Sequence, residues 1–322
     1  MANVQVGCVV IGRNEGQRLV KCLESLVKQL EYVVYVDSGS TDDSLVEAEK
    51  LGVPSISLDL SLPFTAARAR NVGAAYLSRQ YANLEYYHFI DGDCELSDSW
   101  LDSVVNVFQV RKEVAVICGR LREKNRNQSV YMRLCDMDWY CAPGIVDSCG
   151  GIATYRSVDF NAVNGFNASL LAGEEPELCK RIRENNRFIL CIDSEMGTHD
   201  SAMIHFSQWW TRCVKVGFGF MSGSEWGGWS KQYKSAIFWG AILPMILIIA
   251  AFFTTGISLL GFVLYPIQVY RVYTHVKGDN LSRYDKFCYA FFCILSKFPE
   301  AQGALSFYVS KILKKNKLIQ YK

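Results

Sequence analysis

VQVGCVVI (Val4–Ile11) and YVVYVD (Tyr32–Asp37) are two apolar, largely β-branched runs, and such runs are typical of buried strands. The residues between them, Gly16–Leu30, carry leucines at helical spacing. Further strand patterns lie near Ser55–Leu58, Tyr86–Ile90 and Val114–Cys118, with helical patterns at Ala66–Ser78 and Ser97–Val110. This alternation predicts a Rossmann-like α/β fold, with a mostly parallel sheet, helices on both faces, and ligands bound beyond the carboxyl ends of the strands.

Composition and local patterns exclude several classes of protein. Of 322 residues, 50% are hydrophobic and 20% are charged, which excludes a disordered or fibrous chain. The first strand pattern is followed by neither GxGxxG nor a Walker A sequence, which disfavours ordinary dinucleotide and P-loop functions. Twelve scattered cysteines without a CxxC pair argue against zinc ribbons and thioredoxin-like sites. With no signal peptide ahead of them, we expect reduced thiols in a cytosol-facing protein.

One segment is apolar enough to enter a membrane. Ser235–Tyr270 contains 36 consecutive residues without a charge, and a single helix of that length would measure about 54 Å against a hydrocarbon core of about 30 Å. The sequence Thr254-Thr255-Gly256 near its middle predicts a turn, and hence a hairpin with arms of roughly 17 residues. Basic residues at both flanks place both ends in the cytoplasm, at a plasma or inner membrane. A hairpin within one leaflet and a hairpin in a protein core are the alternatives.

The segment after the hairpin is basic. Arg271–Lys322 holds 10 Lys and Arg against 3 Asp and Glu. Its apolar run FCYAFFCIL (Phe287–Leu295) is too short to span a membrane, and a closing basic run follows at Lys311, Lys314, Lys315 and Lys317. We expect an interfacial helix whose Lys-rich tail contacts anionic headgroups, and a solvated basic tail is the alternative.

The strongest signal for chemistry is FIDGDCE (Phe89–Glu95), in which Asp91 and Asp93 directly follow an apolar strand pattern. The chain leaves the sheet there at its ligand-binding edge. Carboxylates in that place can hold a hard divalent cation together with phosphate oxygens. On these residues alone, a polar Asp-Gly turn without a ligand is the alternative.

With four other motifs, this sequence resembles the family 2 inverting glycosyltransferases of the GT-A fold over roughly residues 4–220. In chain order the motifs are IGRNEG (Ile11–Gly16), VDSGSTDDS (Val36–Ser44), ARNVG (Ala69–Gly73), the DGD of the DXD motif, and GEEPELCKR (Gly173–Arg181). Five such motifs in this order favour membership, although each motif alone is weak.

The resemblance implies a nucleotide-sugar donor and a Mn²⁺ or Mg²⁺ ion held by Asp91, Asp93 and His199. The ion would stabilise charge on the diphosphate leaving group. A contact of Asp91 with the ribose is the alternative for that residue, and a structural role is the alternative for His199. Glu175 would be the general base that deprotonates the acceptor hydroxyl. The family usually has an Asp there, so Glu174 is the second candidate. A helix start enriched in negative charge is the alternative for both.

The resemblance also implies residues that contact the donor. Ile11, Arg13 and Glu15 would line the first loop, and Asp37 would face the base ring, with capping of a turn as its alternative. Arg70 and Asn71 would begin a helix whose N-terminus can meet phosphate. Gly151 would belong to a stretch of small residues that lets the sugar approach the backbone. We expect the aromatic and acidic loop before it to recognise the acceptor.

Three segments follow from these patterns. We expect a cytoplasm-facing GT-A catalytic domain at residues 1–234, a membrane hairpin at 235–270 and a basic interfacial tail at 271–322. The QxxRW pattern of processive synthases fails on spacing at Gln208 and Arg212, so transfer of a single sugar is expected, in polysaccharide or glycolipid biosynthesis.

The expected acceptor is a lipid-linked saccharide or a lipid, because an anchor concentrates the enzyme where such substrates are confined. No nucleic-acid partner is expected. A catalytically silent membrane scaffold of the same fold is one alternative function. A nucleotidyltransferase is the other, although the Gly-rich basic signature that it would need near the N-terminus is missing from the sequence.

Overall fold

The computed structural model describes residues 5–62, 64–224, 226–276 and 281–312. Its described residues divide into two compact units: 5–125 with 139–201, and 126–138 with 202–312. This division differs from the predicted boundary at residue 234. The helices at 130–138 and 206–224 pack with C-terminal helices and belong to the second unit, whereas the sheet belongs to the first. Lys277, Lys314, Lys315 and Lys317 of the predicted basic segment lie outside the described residues.

The first unit is built on one nine-stranded sheet. Its strands are β1 (Val6–Gly12), β2 (Tyr32–Asp37), β3 (Ser55–Ser57), β4 (Tyr86–Asp91), β5 (Cys94–Leu96), β6 (Val114–Glu123), β7 (Gly144–Val146), β8 (Ala153–Arg156) and β9 (Phe188–His199). Their order is β3-β2-β1-β4-β8-β6-β9-β5, and β7 pairs with β9. The β3-β2-β1-β4 half is parallel, while β8 is antiparallel to both of its neighbours.

Helices cover both faces of the sheet in this unit. They are α1 (Gln17–Val27), α2 (Ser44–Lys50), α3 (Ala66–Gln80), α4 (Trp100–Val110), α6 (Ser157–Ala162) and α7 (Glu174–Glu184). Two separate apolar clusters result: α3, α6 and α7 pack with Val9, Val34 and Phe89 on one face, and α1, α2 and α4 pack with Cys8 and Val10 on the other. The predicted fold class is confirmed, because successive β1 residues are buried on opposite faces.

The second unit is helical. It contains α5 (Val130–Asp138), α8 (Phe206–Ser224), α9 (Ser230–Ile237), α10 (Leu243–Phe253), α11 (Leu264–His275), α12 (Arg283–Leu295) and α13 (Lys297–Ile312). Glycines allow α8 and α13 to approach closely, since a Cβ at Gly217 or Gly303 would collide with a carbonyl oxygen of the facing helix. α12 begins with a capping box, in which Ser282 Oγ accepts from the Asp285 N–H at 3.0 Å.

The apolar segment forms a hairpin within this unit. The helix Ser230–Phe253, which includes a π-helical turn at Phe238–Ile242, ends at a turn where Thr255 and Gly256 have φ of 48° and 88°. A 3₁₀ segment, Ile257–Val263, then leads into α11. Ser258 Oγ donates to Leu247 O at 2.8 Å, and Tyr265 Oη donates to Trp239 O at 2.5 Å. The two arms therefore run back along each other from the predicted turn.

The two arms differ in their capacity to cross a membrane. Among the described residues, Ser230–Phe253 is the one helix long and apolar enough to span, judged by length and composition alone. The second arm combines 3₁₀ and α-helix and contains Arg271 in its last turns. The two arms therefore differ from the expected pair of similar spans. One candidate spanning helix is weak evidence of membrane association.

Candidate active site

Parallel pairing brings three predicted positions to one edge of the sheet. Ile11 of β1 pairs with Asp91 of β4, and Gly12 beside it pairs with Asp37 of β2. The Ile11 carbonyl accepts from the Gly92 N–H at 2.8 Å, which fixes the start of the β4–β5 turn. The carboxyl ends of β1, β2 and β4 thus form one shelf, as the alternation of strands and helices predicts.

A cationic side chain connects the DXD turn with α7. Arg70 of α3 donates from Nη2 to Asp91 Oδ1 at 3.0 Å and from Nη1 to Glu174 Oε1 at 2.7 Å. Its guanidinium is 3% exposed and lies over the Phe166 ring. Burial alone would lower the pKa of Arg70, but the two carboxylates raise it, so the guanidinium stays charged. Glu174 and Asp91 are thereby held on opposite sides of one cation.

Gly151 borders this ion-pair cluster. A Cβ added there would lie 3.2 Å from Arg70 Nη2 and 3.5 Å from Asp91 Oδ2. The absence of a side chain therefore leaves the Asp91 carboxylate accessible from this side, and its side chain is 36% exposed. Of the predicted site residues, the structure brings together Arg70, Asp91, Glu174 and Gly151.

Asp93 and His199 form a second cluster beyond the turn. Asp93 is buried, and His199 Nε2 lies 3.4 Å from its Oδ2. The other ring nitrogen, Nδ1, lies 3.7 Å from Glu123 Oε2, and the ring packs edge-on against Trp139 with centroids 4.3 Å apart. Pairing of β9 with β5 and β6 creates this arrangement, because His199 is the register partner of both Cys94 and Glu123.

The donor set of this cluster suits a divalent cation. Ligand atoms of Asp93, Cys94 and His199 lie within 4.8 Å of one another. Carboxylate oxygen and imidazole nitrogen are ordinary ligands of Mn²⁺, and carboxylates are also ligands of Mg²⁺. Burial would lower the pKa of His199, but Asp93 and Glu123 raise it to about 9. The residues present fit the cation that the DXD motif implies.

Glu175 lies in a different environment from its neighbour Glu174. It is 7% exposed, and its Oε1 accepts from the Cys149 N–H at 2.6 Å, the Cys179 thiol at 3.0 Å and the Cys149 thiol at 3.2 Å. Burial raises the pKa of Glu175, although these hydrogen bonds act in the opposite direction. The two successive carboxylates of α7 therefore face different partners.

Asp37 and Arg13 shape the loop after β2. Asp37 is 2% exposed and accepts from Tyr35 Oη at 2.9 Å and from the Gly39 and Ser40 N–H groups at 2.9 and 3.0 Å. Arg13 Nε donates to Gly39 O at 3.3 Å. Both side chains thus stabilise one loop at the sheet edge.

Glu15 and Asn71 have partners within the surrounding structure. Glu15 is 3% exposed and its Oε2 lies 2.7 Å from Arg18 Nη2. The Asn71 amide donates to Phe166 O at 2.7 Å and accepts from the Phe166 N–H at 2.9 Å. These two residues brace the loops near the shelf.

Sequence reasoning missed Glu123 and Trp139, which contact His199. Glu123 ends β6, beyond the predicted strand end at Cys118, so no local signal marked it. Trp139 lies in the aromatic and acidic loop before Gly151. From sequence, that whole loop was assigned to acceptor recognition, and Trp139 was not singled out. Cys149 and Cys179 were also missed as partners of Glu175. Cys179 lies four residues after Glu175 on α7, so helical spacing was an available signal, whereas only the fold brings Cys149 there.

Comparison with known proteins agrees with this geometry. Residues 8–156 match the family model described as Glycosyl transferase family 2. The chain is 28% identical over 116 residues to the SPbeta prophage-derived glycosyltransferase SunS of Bacillus subtilis (strain 168), and the same figures hold for glycosyltransferase SunS of Bacillus phage SPbeta. That alignment covers 35% of this chain and 26% of each relative, so the chain spans about a quarter of their length.

A solved structure shows the same fold. Mannosyltransferase PcManGT from Pyrobaculum calidifontis, in complex with GDP-Man and Mn²⁺, is 14% identical, with a TM-score of 0.58 over 97% of this chain and 88% of that one. The predicted resemblance is confirmed for residues 8–156, which match the family 2 glycosyltransferase model.

Proposed function

We propose that the chain transfers a single sugar from a nucleotide-sugar donor to a membrane-associated acceptor, with inversion, in a divalent-metal-dependent reaction. The observation that carries this proposal is the pair of adjacent clusters at the sheet edge, Asp93 with His199 and Arg70 with Asp91 and Glu174. PcManGT, which shares the fold, holds GDP-Man and Mn²⁺, and this supports a nucleotide sugar and a divalent cation here.

Asp93 and His199, with Asp91 beside them, would hold the cation. A bound Mn²⁺ or Mg²⁺ supplies Lewis-acid stabilisation for the diphosphate leaving group. Arg70 is a positioning residue in this scheme, because it fixes one oxygen of Asp91 and one of Glu174 while Gly151 leaves the shelf open. Asp37 and Arg13 would shape the loop that accepts the nucleoside.

Glu175 would accept the proton of the attacking hydroxyl. Its raised pKa makes it a better proton acceptor than an ordinary carboxylate, and efficient general bases have a pKa near the working pH. The Cys149 N–H and two thiols orient one oxygen of the carboxylate. Glu174 is the second candidate, although its ion pair with Arg70 already engages one of its oxygens.

Two features of the helical unit favour a lipid-like acceptor. A groove of about 710 Å³ in this unit is lined almost wholly by apolar side chains, among them Tyr265, Phe287 and Phe291. The apolar helix Ser230–Phe253 belongs to the same unit, and a membrane-embedded hairpin with cytoplasmic ends would account for both features. Hydrocarbon chains are the ligands that such a surface accommodates.

A thermal-shift screen of the full chain in detergent tests the proposal. UDP-, GDP- and dTDP-sugars are compared with Mn²⁺ and with EDTA, and the best donor is then offered with membrane lipid extract in a radiolabel-transfer assay. We expect one nucleotide class to stabilise the protein with Mn²⁺ and label to enter the lipid phase. No stabilisation by any sugar nucleotide would favour a catalytically silent scaffold instead.

A further inference from the structure

Three thiols converge inside the first unit, away from the Asp93–His199 cluster. They belong to Cys118 of β6, Cys191 of β9 and Cys141, which precedes β7. Their sulfur atoms all lie within 4.8 Å of one another. Cys118 and Cys191 are each 1% exposed, whereas Cys141 is partly exposed. The catalytic scheme uses none of them.

Strand register produces this convergence. Cys118 and Cys191 are direct partners in the parallel β6–β9 ladder, so both side chains lie on the same face of the sheet. On the other side of β9, Cys191 pairs with Gly144 of β7. Cys141, three residues before Gly144, is thereby brought to the same place, and the Cys191 thiol donates to the Cys141 carbonyl at 3.5 Å.

The spacing of the sulfurs is close to that of a thiolate metal site. A Zn–S distance of about 2.3 Å requires sulfurs about 3.8 Å apart in a tetrahedral site. Small side-chain rotations therefore suffice to close the observed trio around an ion. Thiolate ligands select soft or borderline cations such as Zn²⁺, whereas Mg²⁺ and Mn²⁺ prefer oxygen.

The protonation state of the trio also favours a cation. The pKa of the Cys141 thiol is lowered by its proximity to the Cys118 and Cys191 thiols. Those of Cys118 and Cys191 are raised, the former chiefly by its hydrogen bond to Cys141. The lowered pKa of Cys141 favours thiolate ligation, and an incoming ion would displace the thiol protons to solvent.

We propose that Cys118, Cys141 and Cys191 bind a Zn²⁺ ion, with a water at the partly exposed Cys141 side as the fourth ligand. The site would tie the segment between Trp139 and Gly151 to the sheet. At one end of that segment Trp139 packs against His199, and at the other Gly151 borders Arg70 and Asp91. Zinc loading would therefore stabilise the segment that flanks the candidate active site.

Cadmium titration of the full chain in detergent tests this site without any donor or acceptor. The protein is reduced, stripped with EDTA and held in excess Mg²⁺, and the thiolate-to-Cd²⁺ charge-transfer absorbance is followed. We expect one equivalent of Cd²⁺ with a saturating band, competed away by Zn²⁺. Cys141→Ser should lower the affinity at least 100-fold and remove most of the band.

A matched control uses the second thiol group of this unit, where the Cys149 and Cys179 sulfurs lie 3.7 Å apart beside Glu175. Cys149→Ser should leave the band unchanged. Loss of the band in Cys149→Ser with its retention in Cys141→Ser would overturn the assignment. So would the absence of any band, or a disulfide within the trio found by mass spectrometry of the freshly purified protein.

The melting temperature provides a second readout in case a variant at a buried cysteine folds poorly. Zn²⁺ should raise the melting temperature of the wild type and of Cys149→Ser, but not that of Cys141→Ser, whose cysteine lies outside the strands. An equal rise in all three would contradict the site. Since these readouts involve no nucleotide sugar, a negative result leaves the proposed transfer reaction untouched.

Discussion

The carboxylates on the β4–β5 turn and Glu175 at the start of α7 have different partners, although Asp93 and Glu175 are both buried. Asp91 lies 3.0 Å from Arg70, and Asp93 lies 3.4 Å from His199. Glu175 instead accepts hydrogen bonds from one backbone N–H and two thiols. Cationic neighbours favour a charged carboxylate, whereas burial disfavours it. On this contrast we base the proposal that the turn binds charge and that Glu175 exchanges a proton.

Asp93→Asn should have the largest effect. Loss of a charged ligand removes several kcal/mol of transition-state stabilisation, which corresponds to a fall in turnover of about 10³-fold or more. Sugar transfer in Mn²⁺ measures it, and thermal unfolding checks the fold. The exposed Asp98, five residues further along, supplies the control Asp98→Asn, which should remain active. Near wild-type turnover of Asp93→Asn, or full activity in EDTA, would contradict the metal assignment.

Glu175→Gln should reduce kcat by about 10² to 10⁴-fold, the usual cost of losing a positioned base. Donor affinity should stay nearly unchanged, since the side chain faces Cys149 and Cys179. Single-turnover kinetics together with donor binding measure both quantities. Glu174→Gln is the matched control, and it should affect donor KM more than kcat because Glu174 pairs with Arg70. If Glu174→Gln has the lower kcat, the roles of the two residues are reversed.

The pH profile of kcat distinguishes the two regions further. A base must be deprotonated, so kcat should fall about tenfold per pH unit below the pKa of Glu175. Because burial raises that pKa, the acid limb should begin above the range of an ordinary Glu carboxyl, near 4.3. The residual activity of Glu175→Gln should lack this limb. A limb that persists in this variant would assign the titration to another group.

Arg70→Lys should have the smallest effect. Lysine keeps the charge but lacks the planar fork that contacts Asp91 and Glu174 together. Loss of one charged hydrogen bond costs about 1.5–3 kcal/mol, so donor KM should rise about 10- to 100-fold with a smaller change in kcat. Arg68→Lys, on the same helix, is the control. An unchanged KM would show that Arg70 has a purely structural role.

Much of the first unit could be predicted from sequence because its central strands are long apolar runs. The observed β1, β2 and β4 bounds lie within two residues of the predicted ones. β5 and β7 were not predicted, since each has three residues and depends on pairing with β9, distant in sequence. β9 itself continues past its apolar FILCID run to His199. Long-range pairing, which local patterns do not encode, determined these elements.

The same distinction applies to the site. The DXD turn and the acidic start of α7 carry local motifs, and Arg70 lies between Asp91 and Glu174 in the structure. The contact of Glu123 with His199 has no local signal, because β6 extends beyond its apolar core to reach it. The cysteine trio is also invisible in the sequence, where the three residues are far apart and lack any CxxC pattern.

Metal-dependent binding of a nucleoside diphosphate tests the central claim most directly. Titration calorimetry would compare the wild type in Mn²⁺, the wild type in EDTA, and Asp93→Asn in Mn²⁺, using UDP, GDP and dTDP. We predict that one nucleotide binds the wild type in Mn²⁺ and that its affinity falls at least 100-fold in EDTA and in Asp93→Asn. Equal affinity in all three samples, or no binding of any nucleotide to the wild type, would contradict the account.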